Sequence, residues 1–209
     1  MSVVQIGTSR LTVVPVIRGL LSEGDKVREA VMGATPQAIA VSISKEELAG
    51  LKNMDEDLEY DMSEVETLYS DVLSGFGEVT LPPPCFSVAL EMSEELDVPV
   101  LPIDMNEELY SATYCTLVGT VDLIRESLSL KRLRKKLMRC TTPDEFVITW
   151  DSLINRSKGF SLLAAEREEH MAGVLKRLSR KYSEVVAVIE LERTKGVLSH
   201  LKGNSSENG

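Results

Sequence analysis

Short apolar runs alternate with helical spacing along most of this chain. Val3-Val4-Gln5-Ile6 is β-branched and ends at Gly7-Thr8-Ser9, the pattern of a buried strand and a turn. A helical stretch is predicted next, with Pro15 near its first turn, where a missing N–H is harmless. Gly24-Asp25 interrupts that stretch, and helical spacing resumes from Lys26 to Met32. Residues 38–43 carry no charge, as expected of a strand covered on both faces. Ser44 with Glu47 and Ser63 with Glu66 read as capping boxes, the second opening a helix through about Leu73. Between them, Asn53 to Asp61 reads as an acidic solvated loop. Gly75, Gly77 and Pro82-Pro83-Pro84 mark a connection, and Ser87 to Leu96 is amphipathic and helical. A third strand is predicted at 98–103, its two prolines pointing to an edge or irregular position. Helical pattern then fills residues 106–139. Thr142-Pro143-Asp144-Glu145 opens another helix, a long one runs from Phe160 to Lys181, and 184–189 is the last strand.

Strands alternating with helices predict an α/β fold: a mostly parallel sheet flanked by helices, with a helical insertion between the third and last main strands. Neither a repeat nor a linker divides the chain, so residues 1–201 read as one domain and 202–209 as a disordered tail.

Composition narrows the chemistry. A formal charge of −10 argues against nucleic acid, whose phosphates need a basic surface. No charge-free stretch reaches the roughly 20 residues of a membrane helix, and the opening residues lack the pattern of a signal peptide. Three widely spaced cysteines, Cys85, Cys115 and Cys140, fit neither a disulfide framework nor a zinc knuckle and point to the reducing cytoplasm. Only two histidines are present. His170 has Glu166 one helical turn before it but no third ligand at that spacing, and His200 has only Gly196. Without a G-x-S-x-G elbow a serine triad has no starting point, and Cys85 has no local base, so it reads as structural. The run Lys131, Arg132, Arg134, Lys135, Lys136 and Arg139 reads as a solvated face, with docking of an anionic partner as the alternative.

Two stretches carry a family resemblance. Ile6-Gly7-Thr8-Ser9-Arg10-Leu11-Thr12 resembles a first strand and G-T-x-H turn, and Glu166-Arg167-Glu168-Glu169-His170-Met171-Ala172 resembles an E-R-D-x-x-M-A helix. Val186 to Arg193 occupies the place of a strand ending in G-x-G-H, with Lys195-Gly196 following. Pro36 to Leu51 looks like P-D-x-V-x-V-E-L, and Val98 to Asp104 like a strand ending in aspartate. In order and spacing these resemble the TraB/PrgY family. The resemblance implies metal-type residues that this chain lacks: Arg10 and Arg193 stand where the family has histidines, Ser42 and Cys85 where it has glutamates, and Met105 where it has an arginine.

Arginine has no lone pair to give a metal and remains cationic. The resemblance therefore implies a pseudoenzyme without a cofactor, a binding or regulatory protein. Its former metal cleft would be lined by Arg10, Arg167 and Arg193, with Thr8 and Ser9 in the turn and Asp104, Glu166, Glu190 and Glu192 as cleft acids. A small anion or acidic peptide would fit such a cleft, unless Glu166, Glu190 or Glu192 closes the arginines into salt bridges. The rival is a hydrolase of peptides or small esters using Glu190, Glu192 or Asp104. A homodimer would use apolar surface of the helical insertion, where Leu117, Val118, Val121, Leu123, Ile124, Phe146, Val147 and Trp150 lie.

Overall fold

A computed structural model describes residues 1–53, 62–126 and 130–203, the backbone alone at 124–126 and 130–132. Among these residues the elements are β1 (Ser2–Ile6), β2 (Ser9–Val16), α1 (Ser22–Ala34), β3 (Ala38–Val41), α2 (Lys45–Lys52), α3 (Glu64–Leu73), α4 (Pro84–Glu95), β4 (Val100–Pro102), α5 (Glu107–Leu117), α6 (Thr120–Glu126), α7 (Leu130–Leu137), α8 (Pro143–Ile154), α9 (Lys158–Leu178), β5 (Glu184–Glu190) and α10 (Leu191–Gly203).

The strands form one mixed sheet in the order β1-β2-β5-β3-β4. Only β1 and β2 pair antiparallel; β2 with β5, β5 with β3 and β3 with β4 are parallel. All four predicted strands lie in this sheet, and β4, with its prolines, is an edge. The segment predicted as a helix around Pro15 is instead β2. Its neighbour β1 pairs only as far as Val13, so Val14 to Val16 outrun β1, and a proline there interrupts no ladder on that side. Gly24-Asp25 does not break α1 but lies inside it. A Cβ on Gly24 would stand 3.0 Å from Val88 Cγ2, so the glycine lets α1 pack closely on α4.

Pleating sorts β2 and β5 onto two cores. Val14, Val16, Val186 and Val188 face α1 and α4, where Val27, Val31, Phe86 and Met92 are buried. Leu11, Val13, Val185, Ala187 and Ile189 face α9 and α10, meeting Met171, Leu175, Val197 and Leu201. A third cluster gathers Ile17, Leu20, Leu73, Leu137, Phe146 and Val147 from the β2 end, α3, α7 and α8. Among the described residues, five helices, α5 to α9, separate β4 from β5. Residues 54–61, most of the expected acidic loop, and 204–209 of the expected tail lie outside the described residues; Lys202 and Gly203, assigned to that tail, are helical in α10. No described helix is long and apolar enough to cross a membrane.

Candidate cleft at the carboxyl ends of the strands

Because four strands run parallel, their carboxyl ends converge on one side, the usual place for a ligand in an open α/β sheet. β2 leaves into Arg18, β3 into Ser42 and Ser44, β4 into Asp104, and β5 ends at Glu190 with Glu192 beginning α10. Backbone hydrogen bonds carry the pairing past the strand ends: Ser42 N–H donates to the Val188 carbonyl at 3.0 Å and Ile103 N–H to the Val41 carbonyl at 2.9 Å. The buried Ser42 hydroxyl accepts the Glu190 N–H at 3.0 Å, fixing the turn from β5 into α10.

Arg18 links these ends. Its guanidinium donates to Glu47 at 3.1 Å, stands 3.5 Å from Glu190, and lies over the Phe86 ring with its Cζ 5.8 Å from the centroid. Glu47 is held by the first turn of α2: one oxygen accepts the Ser44 N–H while the Ser44 hydroxyl accepts the Glu47 N–H. Burial disfavours the Arg18 cation, but Glu190 and Glu47 together raise its pKa. Asp104 takes Arg167 from α9 in a forked pair, Arg167 Nε lying 3.3 and 3.1 Å from its two oxygens. Burial opposes that cation too, yet the Asp104 hydrogen bond and charge raise its pKa.

A cleft of about 500 Å³ opens beside these groups. Arg18, Glu47, Glu190, Glu192, Tyr69 and Trp150 line it, with Glu66 at the start of α3 and Met62, Val65, Val79 and Leu81 as an apolar wall. Tyr69 and Trp150 meet edge to face, centroids 5.1 Å apart. Glu190 is buried, and burial raises its pKa against the opposing charges of Arg18 and Arg167. Burial and the adjacent Glu190 push the Glu192 carboxyl up to about 8. The Tyr69 hydroxyl is also raised, by burial and then by Glu192 and Glu190.

The expected residues divide. Asp104, Arg167, Glu190 and Glu192 do lie at the carboxyl ends. Arg10 does not: it pairs in register with Glu184 at the start of β5, whereas Glu190 pairs with Val16. Six residues of strand, roughly 20 Å, separate the two ends. Arg10 is 53% exposed there and ion-paired with Glu184 at 3.6 Å. Thr8 and Ser9 share that wrong end, in the β1–β2 hairpin. The reason is the misread β2, which carries the chain from Arg10 to Arg18, and Arg18 is the arginine that reaches the cleft. An apolar run from Leu11 to Ile17 ending in Arg18-Gly19 was the available signal.

Arg193 points elsewhere as well. It is 97% buried between helices, paired with Glu168 of α9 at 3.0 Å and with Asp151 of α8. This is the closed network, but with Glu168 and Asp151 in place of Glu166, Glu190 and Glu192; Glu166 is exposed. Gly196 makes the network possible, because a Cβ there would overlap the Glu168 carboxylate. His170 is half-buried, its pKa lowered by burial, and neither histidine lines the cleft. Among the described residues no three His, Cys, Asp or Glu side chains group as metal ligands. Cys85 is buried in the first turn of α4, its thiol pushed up to about 12 by burial and then by Glu190. In the basic run, Leu133 and Leu137 pack inward while Arg134, Lys135 and Lys136 are exposed, Arg134 standing 4.0 Å from Asp71. The side chains of Lys131 and Arg132 lie outside the described residues.

Comparison with known protein families and with curated proteins gives no match to this sequence.

Proposed function

We propose that the chain is a TraB/PrgY-like protein that works by binding, without metal chemistry, through the cleft at the carboxyl ends of β2 and β5. The observation that carries this reading is the 500 Å³ cleft itself, at the sheet's ligand-binding end and walled by aromatic and apolar side chains around a few polar groups. The family resemblance is supported by one long-range contact: Asp104 and Arg167, which come from two of the matching stretches, pair across 63 residues. The positions that the resemblance assigns to a metal do not suit a dication. Arg193 replaces a histidine, and the Ser42 hydroxyl, where the resemblance places a glutamate, is engaged by the Glu190 N–H. Binding without catalysis is favoured because, among the described residues, no histidine or cysteine lines the cleft. Three free cysteines support the cytoplasm as its compartment.

Trp150, the sole tryptophan, lies in the cleft wall and reports occupancy by its fluorescence. A small-molecule screen read by that fluorescence and by thermal shift yields hits that quench or shift Trp150 in the wild type. A screen across cationic, anionic and neutral compounds in which no hit perturbs Trp150 overturns the binding reading.

A hydrolase is the second reading, favoured by Glu190 and Glu192, adjacent carboxyls both raised in pKa and both facing the cleft. Glu192, protonated near neutrality, would act as the acid and Glu190 as the base for water. Turnover of nitrophenyl esters or peptides that disappears in Glu190→Gln and Glu192→Gln would establish it.

A further inference from the structure

We infer that the ligand completing the cleft is a cation: a small molecule with an ammonium or guanidinium head and an apolar or aromatic body. The inference rests on the binding reading above and adds the charge of what is bound.

Each arginine once expected to attract an anion is already engaged. Arg10 pairs with Glu184 at the far end of the sheet. Arg167 is forked onto Asp104. Arg193 is enclosed by Glu168 and Asp151. Arg18 is the one basic residue among the described residues of the cleft lining, and Glu47, Glu190 and the Phe86 ring surround its guanidinium. An anion would have to displace one of these carboxylates and then sit beside it, a like-charge contact in a partly dry site.

The lining carboxylates are less fully matched. Glu47 serves Arg18 and the α2 cap. Glu190 shares Arg18. Glu192 is in no ion pair with a described residue, because Arg18 and Arg167 are held by other acids. Among the described residues of the lining, Glu47, Glu190 and Glu192 thus face one arginine. A carboxylate withdrawn from water beside a second carboxylate gains most from a cation placed between them. Tyr69 and Trp150 bring aromatic rings into the same lining, and aromatic rings attract a cation independently of the acids. Met62, Val65 and Leu81 offer the surface on which a hydrocarbon body would lie. The two chemistries adjoin in one cavity, so the ligand that satisfies both is amphipathic and positively charged.

Matched probes separate charge from shape. Tryptamine and phenethylamine are titrated against full-length protein beside indole-3-acetate and phenylacetate, which share their rings but carry the opposite charge. Calorimetry and thermal shift are the readouts, with Trp150 fluorescence for the phenyl pair. The amines are expected to bind about tenfold or more tightly than the carboxylates, and Glu192→Gln to lose about that factor while keeping the wild-type circular dichroism spectrum. Equal affinity for both charges, or preference for the carboxylates, overturns the cation while leaving a binding cleft. Silence from all four probes overturns the cation too; the binding reading then falls only if the wider screen is also silent. The wild-type comparison decides the matter even if Glu192→Gln does not fold, and Glu192→Asp, which keeps the charge, should retain the amine preference.

Discussion

Glu192 holds its proton into the neutral range because burial and Glu190 both penalise its charge, carrying its pKa from an ordinary 4.5 to about 8. Between those values the folded protein binds more protons than the unfolded chain, so this group's contribution to stability falls as pH rises through the window. Glu192→Gln should therefore match the wild type near pH 4.5 and exceed it above pH 8 by about 1–2 kcal/mol, roughly 3–6 °C in Tm. Thermal melts across that range check this, and a pH-independent difference would contradict it. Ser42 supports a second expectation. Ser42→Ala leaves the buried Glu190 N–H without its acceptor and should cost about 1–3 kcal/mol in urea unfolding. At this scale the sequence was partly legible. Asp104, Arg167, Glu190 and Glu192 entered through the family resemblance, and the structure sets all four at the carboxyl ends of the strands. Arg18 was missed because its strand was missed. The Arg193 partners were missed because which carboxylates meet it depends on helix packing, which spacing does not encode.

Helix starts were the most legible elements. Ser44–Glu47 and Ser63–Glu66 form the reciprocal caps their spacing predicts, since that chemistry is local. At Thr142 the cap forms, but the Glu145 carboxylate reaches the Thr141 N–H, one residue earlier than a full box would place it. β2 defeated local reading: Pro15 signals a helix start by propensity, and only the knowledge that β1 stops at Val13 makes it acceptable in a strand. The α9–α10 contact yields the next test. Gly196→Ala would drive the Glu168 carboxylate off Arg193 or push α10 away from α9, at a cost of about 1–3 kcal/mol. Chemical denaturation measures it; a neutral result would mean Glu168 moves aside freely. In an Arg193→Met background the same substitution should cost less, since Glu168 is no longer anchored.

For the whole molecule, the expected apolar surface of the helical insertion has split in two. Phe146 and Val147 are buried beside Trp150 in the third cluster, completing the core, whereas Val121 is 62% and Leu123 43% exposed on α6, and α5 buries no residue at all. If the chain self-associates, α5 and α6 are the surface to use. Sedimentation should then show a dimer that Val121→Glu with Leu123→Glu dissociates, and a monomer at high micromolar concentration would leave that face solvated. The alternation of strands and helices was legible because both sheet faces are covered; the strand order was not, since β5 is the last strand made yet lies in the middle, between β2 and β3. That placement governs how the chain can acquire its shape. More than 140 residues intervene between β3 and the strand it must flank, so the sheet's centre forms only through contacts distant in sequence, which are slow to establish. On the ribosome β2 and β3 emerge early and wait, apolar and unpaired, for β5. Nascent chains arrested before Glu190 should remain sensitive to protease and associate with holding chaperones, while chains extended through α10 become resistant in a single step.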